Sequence, residues 1–229
     1  MNFFGKPRPA PQPKGNAVRQ AVAAQVAARL DANPAVTRAP IDGAQVYYHP
    51  EFLDAATCAM LVATIDRHRR PSTLLSDRND QGFRTSDSCD MDRWSPDIRP
   101  IDERIAGLLG IDPDYGETMQ GQRYAPGQQF RAHHDYFHES ESYWQRMQQE
   151  GGQRTWTAMI YLNTPDAGGA TRFKAIDKIV HPEAGKLLAW NNLRTDGRVN
   201  PSTLHHGMKV RAGTKYVITK WFRERLWPR

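Results

Sequence analysis

Residues 155–163 read TWTAMIYLN, rich in β-branched, aromatic and aliphatic side chains on both alternating faces. A short run of that kind predicts a central strand covered on both sides. Residues 186–190 (KLLAW) and 215–222 (KYVITKWF) share the texture, and turns of Gly, Asn, Asp and Pro separate the short β segments that follow Met119. Upstream the period is helical. Asp54 caps a run with Cys58, Leu61 and Ile65 at helical spacing, ending near Arg69-Arg70-Pro71. Ser95-Pro96 reads as an N-cap and first-turn proline, with Ile98, Ile101, Ile105 and Leu108 following before Gly110. Helices first and many short strands afterwards predict an α+β, mainly β chain, with helices packed on a β-sandwich or jelly roll.

The 229 residues carry 39% hydrophobic and 24% charged side chains, enough to bury a sizeable core. No run of about eighteen apolar residues occurs, so no transmembrane helix and no membrane partner are expected. The opening MNFFGKPRPAPQPKG lacks an apolar core and a small-residue cleavage site, so no secretory signal is expected. Cys58 and Cys89 form no CxxC, which argues against a disulfide framework and for a cytoplasmic setting. The net charge of +6 is concentrated at the two ends, leaving the middle of the chain net acidic. Basic residues spread over a binding face are therefore not evident, and nucleic acid is an unlikely partner class.

Pro7, Pro9, Pro11 and Pro13 make residues 1–15 a PPII-like basic tail. Residues 16–30 form an Ala-rich helix with Val18, Val22 and Val26 on one stripe, whose small side chains predict weak packing. The composition changes after Ala39-Pro40, which divides the chain into a Pro/Ala-rich basic extension, 1–40, and a folded domain, 41–229.

The chemistry gathers at Arg131-Ala132-His133-His134-Asp135-Tyr136-Phe137. In a strand, residues two apart share a face, so His133 and Asp135 can converge on one metal while His134 points away. A second pair, His205-His206, lies about seventy residues on. Two histidines and a carboxylate with open positions match the facial triad of non-haem Fe(II) oxygenases, and could equally hold catalytic zinc. The HExxH of zinc proteases is absent. His134, His138 and His206 read as bystanders. In the last run Lys215, Val217, Thr219 and Trp221 share a face. If that face is interior, Lys215 needs an anionic partner such as a dicarboxylate; if not, it is merely exposed.

With these residues in view, the chain resembles the prolyl 4-hydroxylase α-subunit type of 2-oxoglutarate/Fe(II) dioxygenase. The resemblance runs from Arg84-Thr85-Ser86 through Arg123-Tyr124-Ala125-Pro126-Gly127 into His133 and Asp135. It continues through Gly168-Gly169-Ala170-Thr171-Arg172-Phe173, Gly185, Trp190-Asn191 and His205 to Gly213-Thr214-Lys215-Tyr216 and Lys220-Trp221. It implies a double-stranded β-helix, with His133, Asp135 and His205 as iron ligands; His205 is preferred to His206 because it stands ten residues before Lys215. It further implies that Lys215 pairs with the far carboxylate of 2-oxoglutarate, that Tyr124 and Thr157 add hydroxyl contacts, and that Trp221 stands near the active centre. The resemblance also implies dioxygen as the second cosubstrate, with ascorbate a candidate reductant whose need the sequence does not show. Asp135 favours hydroxylation, since related halogenases lack that carboxylate.

Two features depart from the pattern. Arg223 stands where relatives commonly have histidine, and the polar segment 137–153 reads as a mobile lid. Arg84 and Arg223 are candidate substrate contacts. The expected activity is hydroxylation of an unactivated C–H bond, foremost on a prolyl residue of a peptide or protein. The same chemistry on a free amino acid or small natural product is the alternative, with a non-catalytic jelly-roll binding protein as a third.

Overall fold

The computed structural model describes residues 16–73 and 82–228; the Pro-rich stretch 1–15 lies outside the described residues. The larger sheet is antiparallel throughout. Its strands lie in the order β1 (Thr37–Arg38), β2 (Val46–His49), β11 (Leu187–Asn191), β7 (Arg154–Tyr161), β14 (Lys215–Arg223), β5 (Gln120–Tyr124), β4 (Asp87–Asp90) and β3 (Arg70–Pro71). The smaller sheet runs β10 (Lys178–Val180), β9 (Thr171–Phe173), β12 (His205–Gly207) and β6 (Phe130–His133), and β13 (Val210–Ala212) pairs with β8 (Ala167–Gly168). This is the expected jelly roll, with β7 central between β11 and β14.

The period of two along the central strands sorts side chains into two cores. Trp156, Ala158 and Ile160 of β7, Leu187 and Ala189 of β11, and Ile218 and Phe222 of β14 face the helices. Met159 and Tyr161, Leu188 and Trp190, and Val217 point the other way, where they meet Phe173 and Val180 of the smaller sheet. Burying each such aliphatic or aromatic side chain is worth about 1.5–3 kcal/mol. The face carrying Lys215 is thus the one between the sheets.

Three helices cover the outer face. In α2 (Ala55–His68) the Asp54 carboxylate accepts from the Thr57 N–H at 2.7 Å, and Cys58, Leu61 and Ile65 are buried as their spacing predicts. α3 (Arg99–Leu109) begins later than expected. Ser95 and Pro96 form a preceding turn in which the Ser95 carbonyl accepts from Ile98 and Arg99, and Pro100 occupies the first helical turn. Gly110 ends α3 in the left-handed region at φ 68°, as a residue without Cβ can.

α1 (Ala17–Asp31) corrects the expected division at residue 40. Asn16 caps it, Val26, Ala27 and Leu30 are buried in the helix-side core, Ala23 is also buried, and Val18 is exposed. β1 then pairs with β2. The weak packing inferred from small side chains does not occur, because alanines let the helix approach closely and Leu30 supplies the missing bulk.

Candidate active site

β6 and β12 pair so that His133 and His205 stand directly opposite each other, their ring centroids 4.3 Å apart. Asp135 follows β6 two residues on, and its Oδ1 lies 3.6 Å from His133 Nε2 and 3.8 Å from His205 Nε2. One donor atom from each of the three falls within 4.8 Å of the others, the one such cluster among the described residues. Backbone carbonyls fix the imidazoles. His133 Nδ1 donates to Arg131 O at 2.8 Å and His205 Nδ1 to Thr203 O at 3.0 Å, which leaves both Nε2 lone pairs facing inward. Burial, then the neighbouring His205, holds His133 well below the usual imidazole range, so it is a neutral donor. Burial alone would raise the Asp135 carboxyl, but His205, His133, Arg154 and the Thr157 hydroxyl outweigh it and keep the carboxylate ionised.

The outer oxygen of Asp135 is also held. Thr157 Oγ1 donates to Asp135 Oδ2 at 2.8 Å and accepts from Asn192 Nδ2 at 2.9 Å. Thr157 therefore orients the carboxylate, in place of the cosubstrate contact expected of it. It is absent from the inner cavity wall, because its side chain is spent on Asp135.

That inner cavity has His133, Asp135 and His205 in its wall together with Tyr124, Lys215 and Trp221. Lys215 is 2% exposed, and its Nζ lies 5.2 Å from the Tyr124 ring centroid and 5.3 Å from that of Tyr161. No carboxylate faces it among the described residues, and burial pushes the ammonium down to about 7. Tyr124 donates its hydroxyl to Gln122 Oε1 at 2.6 Å, which positions it beside Lys215 across the β5–β14 pair. The Trp221 indole N–H is buried without an acceptor among the described residues.

On the other side His133 and Asp135 face a groove of about 710 Å³. Aromatic rings line it, among them Phe83, Phe130, Tyr136, Tyr143 and Trp227. Arg84 lies in its wall, its guanidinium 4.7 Å over the Phe130 ring and, among the described residues, hydrogen-bonded to the neutral groups of Ser86, Ser88 and Gln120. Arg223 does not reach it. Only 1% exposed, Arg223 is stacked 4.4 Å under Phe137 and pairs with Glu117 at 2.7 Å, so its expected substrate contact is corrected to a buried support of the groove.

Sequence reasoning missed the ion pair beside Asp135. Arg154 Nε and Nη2 bind the two Glu117 oxygens at 2.6 and 2.7 Å, and Nη1 donates to the Asp135 carbonyl at 3.3 Å. Its guanidinium also stacks 4.2 Å from Trp221. A charged residue opening an otherwise apolar central strand was the available signal. The segment 137–153 forms one groove wall and holds a short helix, α4 (Trp144–Gln149), tied back where Phe137 N–H donates to Gln153 Oε1 at 2.6 Å.

Two imidazoles, one carboxylate with a free oxygen, and an unpaired buried ammonium in one cavity fit an Fe(II) ion and a dicarboxylate. Fold and site together define a 2-oxoglutarate/Fe(II) oxygenase. Residues 119–223 match the 2OG-Fe(II) oxygenase superfamily. The chain is 30% identical over 195 residues to prolyl 4-hydroxylase 1 of Arabidopsis thaliana, covering 76% of this chain and 67% of that one. It is 36% identical over 135 residues to the human prolyl 4-hydroxylase subunit alpha-3, covering 58% of this chain and 24% of that one. Its fold is similar to that of the viral collagen prolyl hydroxylase of Paramecium Bursaria Chlorella virus-1 in its 2-oxoglutarate complex, with a TM-score of 0.63, 24% identity, and 81% and 99% of the two chains covered. The chain belongs to the prolyl 4-hydroxylase-like 2-oxoglutarate/Fe(II) oxygenases.

Proposed function

We propose that the protein hydroxylates a prolyl residue of a peptide or protein, consuming 2-oxoglutarate and dioxygen. One observation carries this reading. His133 and Asp135 border both a small cavity, which His205 and the unpaired Lys215 also line, and an aromatic-lined groove. The first suits a dicarboxylate and the second an extended, proline-containing chain. The prolyl 4-hydroxylase relatives named above support the same substrate class.

Bound iron would supply the coupling of 2-oxoglutarate decarboxylation, to succinate and carbon dioxide, with transfer of one oxygen atom to the substrate C–H bond. His133, Asp135 and His205 would hold it, and the protein's remaining work is orientation and exclusion. The Nδ1–H bonds of both histidines and the Thr157 bond to Asp135 fix the three donors before metal arrives. Lys215 neutralises the far carboxylate, beside Tyr124. Arg154, clamped by Glu117, holds the Asp135 backbone and the Trp221 ring at the junction of cavity and groove.

A second reading has support at Arg84, a groove cation whose hydrogen-bond partners among the described residues are neutral, which suits the carboxylate of a free amino acid. The test is incubation with Pro-containing peptides and free amino acids under air, with Fe(II), 2-oxoglutarate and ascorbate, the reductant this reading includes. A gain of one oxygen on peptidyl proline, matched by one succinate, is expected; oxygen on free amino acids alone moves the assignment to Arg84-anchored small molecules. Both cysteines are free and buried, which supports the cytoplasmic setting of the proposal.

A further inference from the structure

The described chain starts with a helix whose first turn is tied to the segment 137–153, which forms one groove wall. Asn16 caps α1, and Arg19, in the first turn, donates through Nη1 to Glu139 Oε1 at 2.7 Å and through Nε to Glu224. Glu139 adjoins His138, which lines the groove together with Glu141 and Tyr143. One helical turn and one arginine side chain thus separate Asn16 from the segment that forms the groove wall.

Immediately before Asn16 the sequence reads Lys6-Pro7-Arg8-Pro9-Ala10-Pro11-Gln12-Pro13-Lys14, an X-Pro repeat with three basic residues. Residues 1–15 contain no acidic side chain, while Glu141 is exposed at the rim. At about 3.1 Å per residue in PPII form, residues 13 to 7 reach roughly 9–28 Å from Asn16. Tethering by so few residues gives an effective concentration on the order of millimolar. Aromatic-lined grooves bind such repeats with little loss of conformational freedom.

We propose that residues 7–13 enter the groove of their own molecule and are hydroxylated there. The proposal rests on the prolyl reading above and names a substrate for it. One proline C–H bond and the O–O bond of dioxygen break; one oxygen atom forms the new C–OH and the other enters the new carboxylate of succinate, with carbon dioxide leaving. Proline and 2-oxoglutarate each give up two electrons, which together reduce one dioxygen.

The full chain, purified without metal, is incubated with Fe(II), 2-oxoglutarate and ascorbate under air and mapped by peptide mass spectrometry. An external prolyl peptide is assayed in parallel. The expected result is a gain of one or more oxygen atoms within residues 7–13, absent in His133→Ala, with a rate constant independent of enzyme concentration. A variant lacking residues 2–15 should turn over the external peptide with unchanged kcat and a KM severalfold lower. A rate constant that rises with enzyme concentration overturns the intramolecular claim. Hydroxylation of the external peptide with residues 7–13 unmodified overturns this inference alone. Absence of oxygen on both overturns it together with the prolyl reading.

Discussion

Lys215 shows how a functional residue strains the fold that holds it. Its ammonium sits among Tyr124 and Tyr161, both phenols held neutral by burial, with its proton affinity lowered from 10.5 to about 7. The unfolded chain keeps that proton up to 10.5, so between about pH 7 and 10.5 it binds more protons than the native state and stability rises with pH. Lys215→Met should remove this slope in pH-dependent denaturation and raise the Tm of the cofactor-free protein. The same substitution should weaken 2-oxoglutarate binding by roughly 2–5 kcal/mol, seen as a raised KM. In the wild type that affinity should fall as pH climbs through 7, because the dicarboxylate needs the charged form. Thr157 makes a separate case. Thr157→Val keeps its shape but frees Asp135 Oδ2 and strands the Asn192 amide, so Fe(II) affinity in anaerobic titration should drop about 10–100-fold. The cluster was legible because the two-residue spacing kept His133 and Asp135 close and motif order chose His205, although β6 ends at His133 and a bend brings Asp135 in. The Thr157 role was not, since a threonine on a central strand gives no sign of which oxygen it will meet across the sheet.

The elements divide the same way. β7, β11 and β14 announce themselves because β-branched, aromatic and aliphatic residues fall on both of their faces, and their register then delivers Lys215 opposite Tyr124 and Trp221 opposite Thr157. α2 was equally plain, with a capping aspartate and a bulky stripe. α1 was legible as a helix but not as core, because its contribution depends on the surface it meets. Leu30 is 1% exposed and packs into the helix-side cluster, so Leu30→Ala should cost about 2–5 kcal/mol in chemical denaturation. By the same argument a chain cut at residue 40 should lose most of its stability, whereas one cut at residue 15 should keep its Tm. Equal melting of the two truncations would contradict a core role for α1. Arg223 belongs to this scale too. An arginine at the end of a strand reads as a surface contact, yet Glu117, the Gly152 carbonyl and the rings of Phe137 and Trp227 enclose it.

For the molecule as a whole, the jelly roll places a metal triad at the junction of two spaces of different character. Inward lies a small cavity that holds Lys215, outward a larger groove walled by aromatics and the segment 137–153. That division separates cosubstrate from substrate, with His133 and Asp135 bordering both spaces and His205 the inner one. The measurement that tests it most directly is succinate formation from 2-oxoglutarate under air with Fe(II), in the wild type, His133→Ala and Lys215→Met. Metal-dependent succinate in the wild type, lost in His133→Ala and recovered in Lys215→Met only at much higher 2-oxoglutarate, is the predicted result. Succinate formed equally by all three proteins would contradict the account.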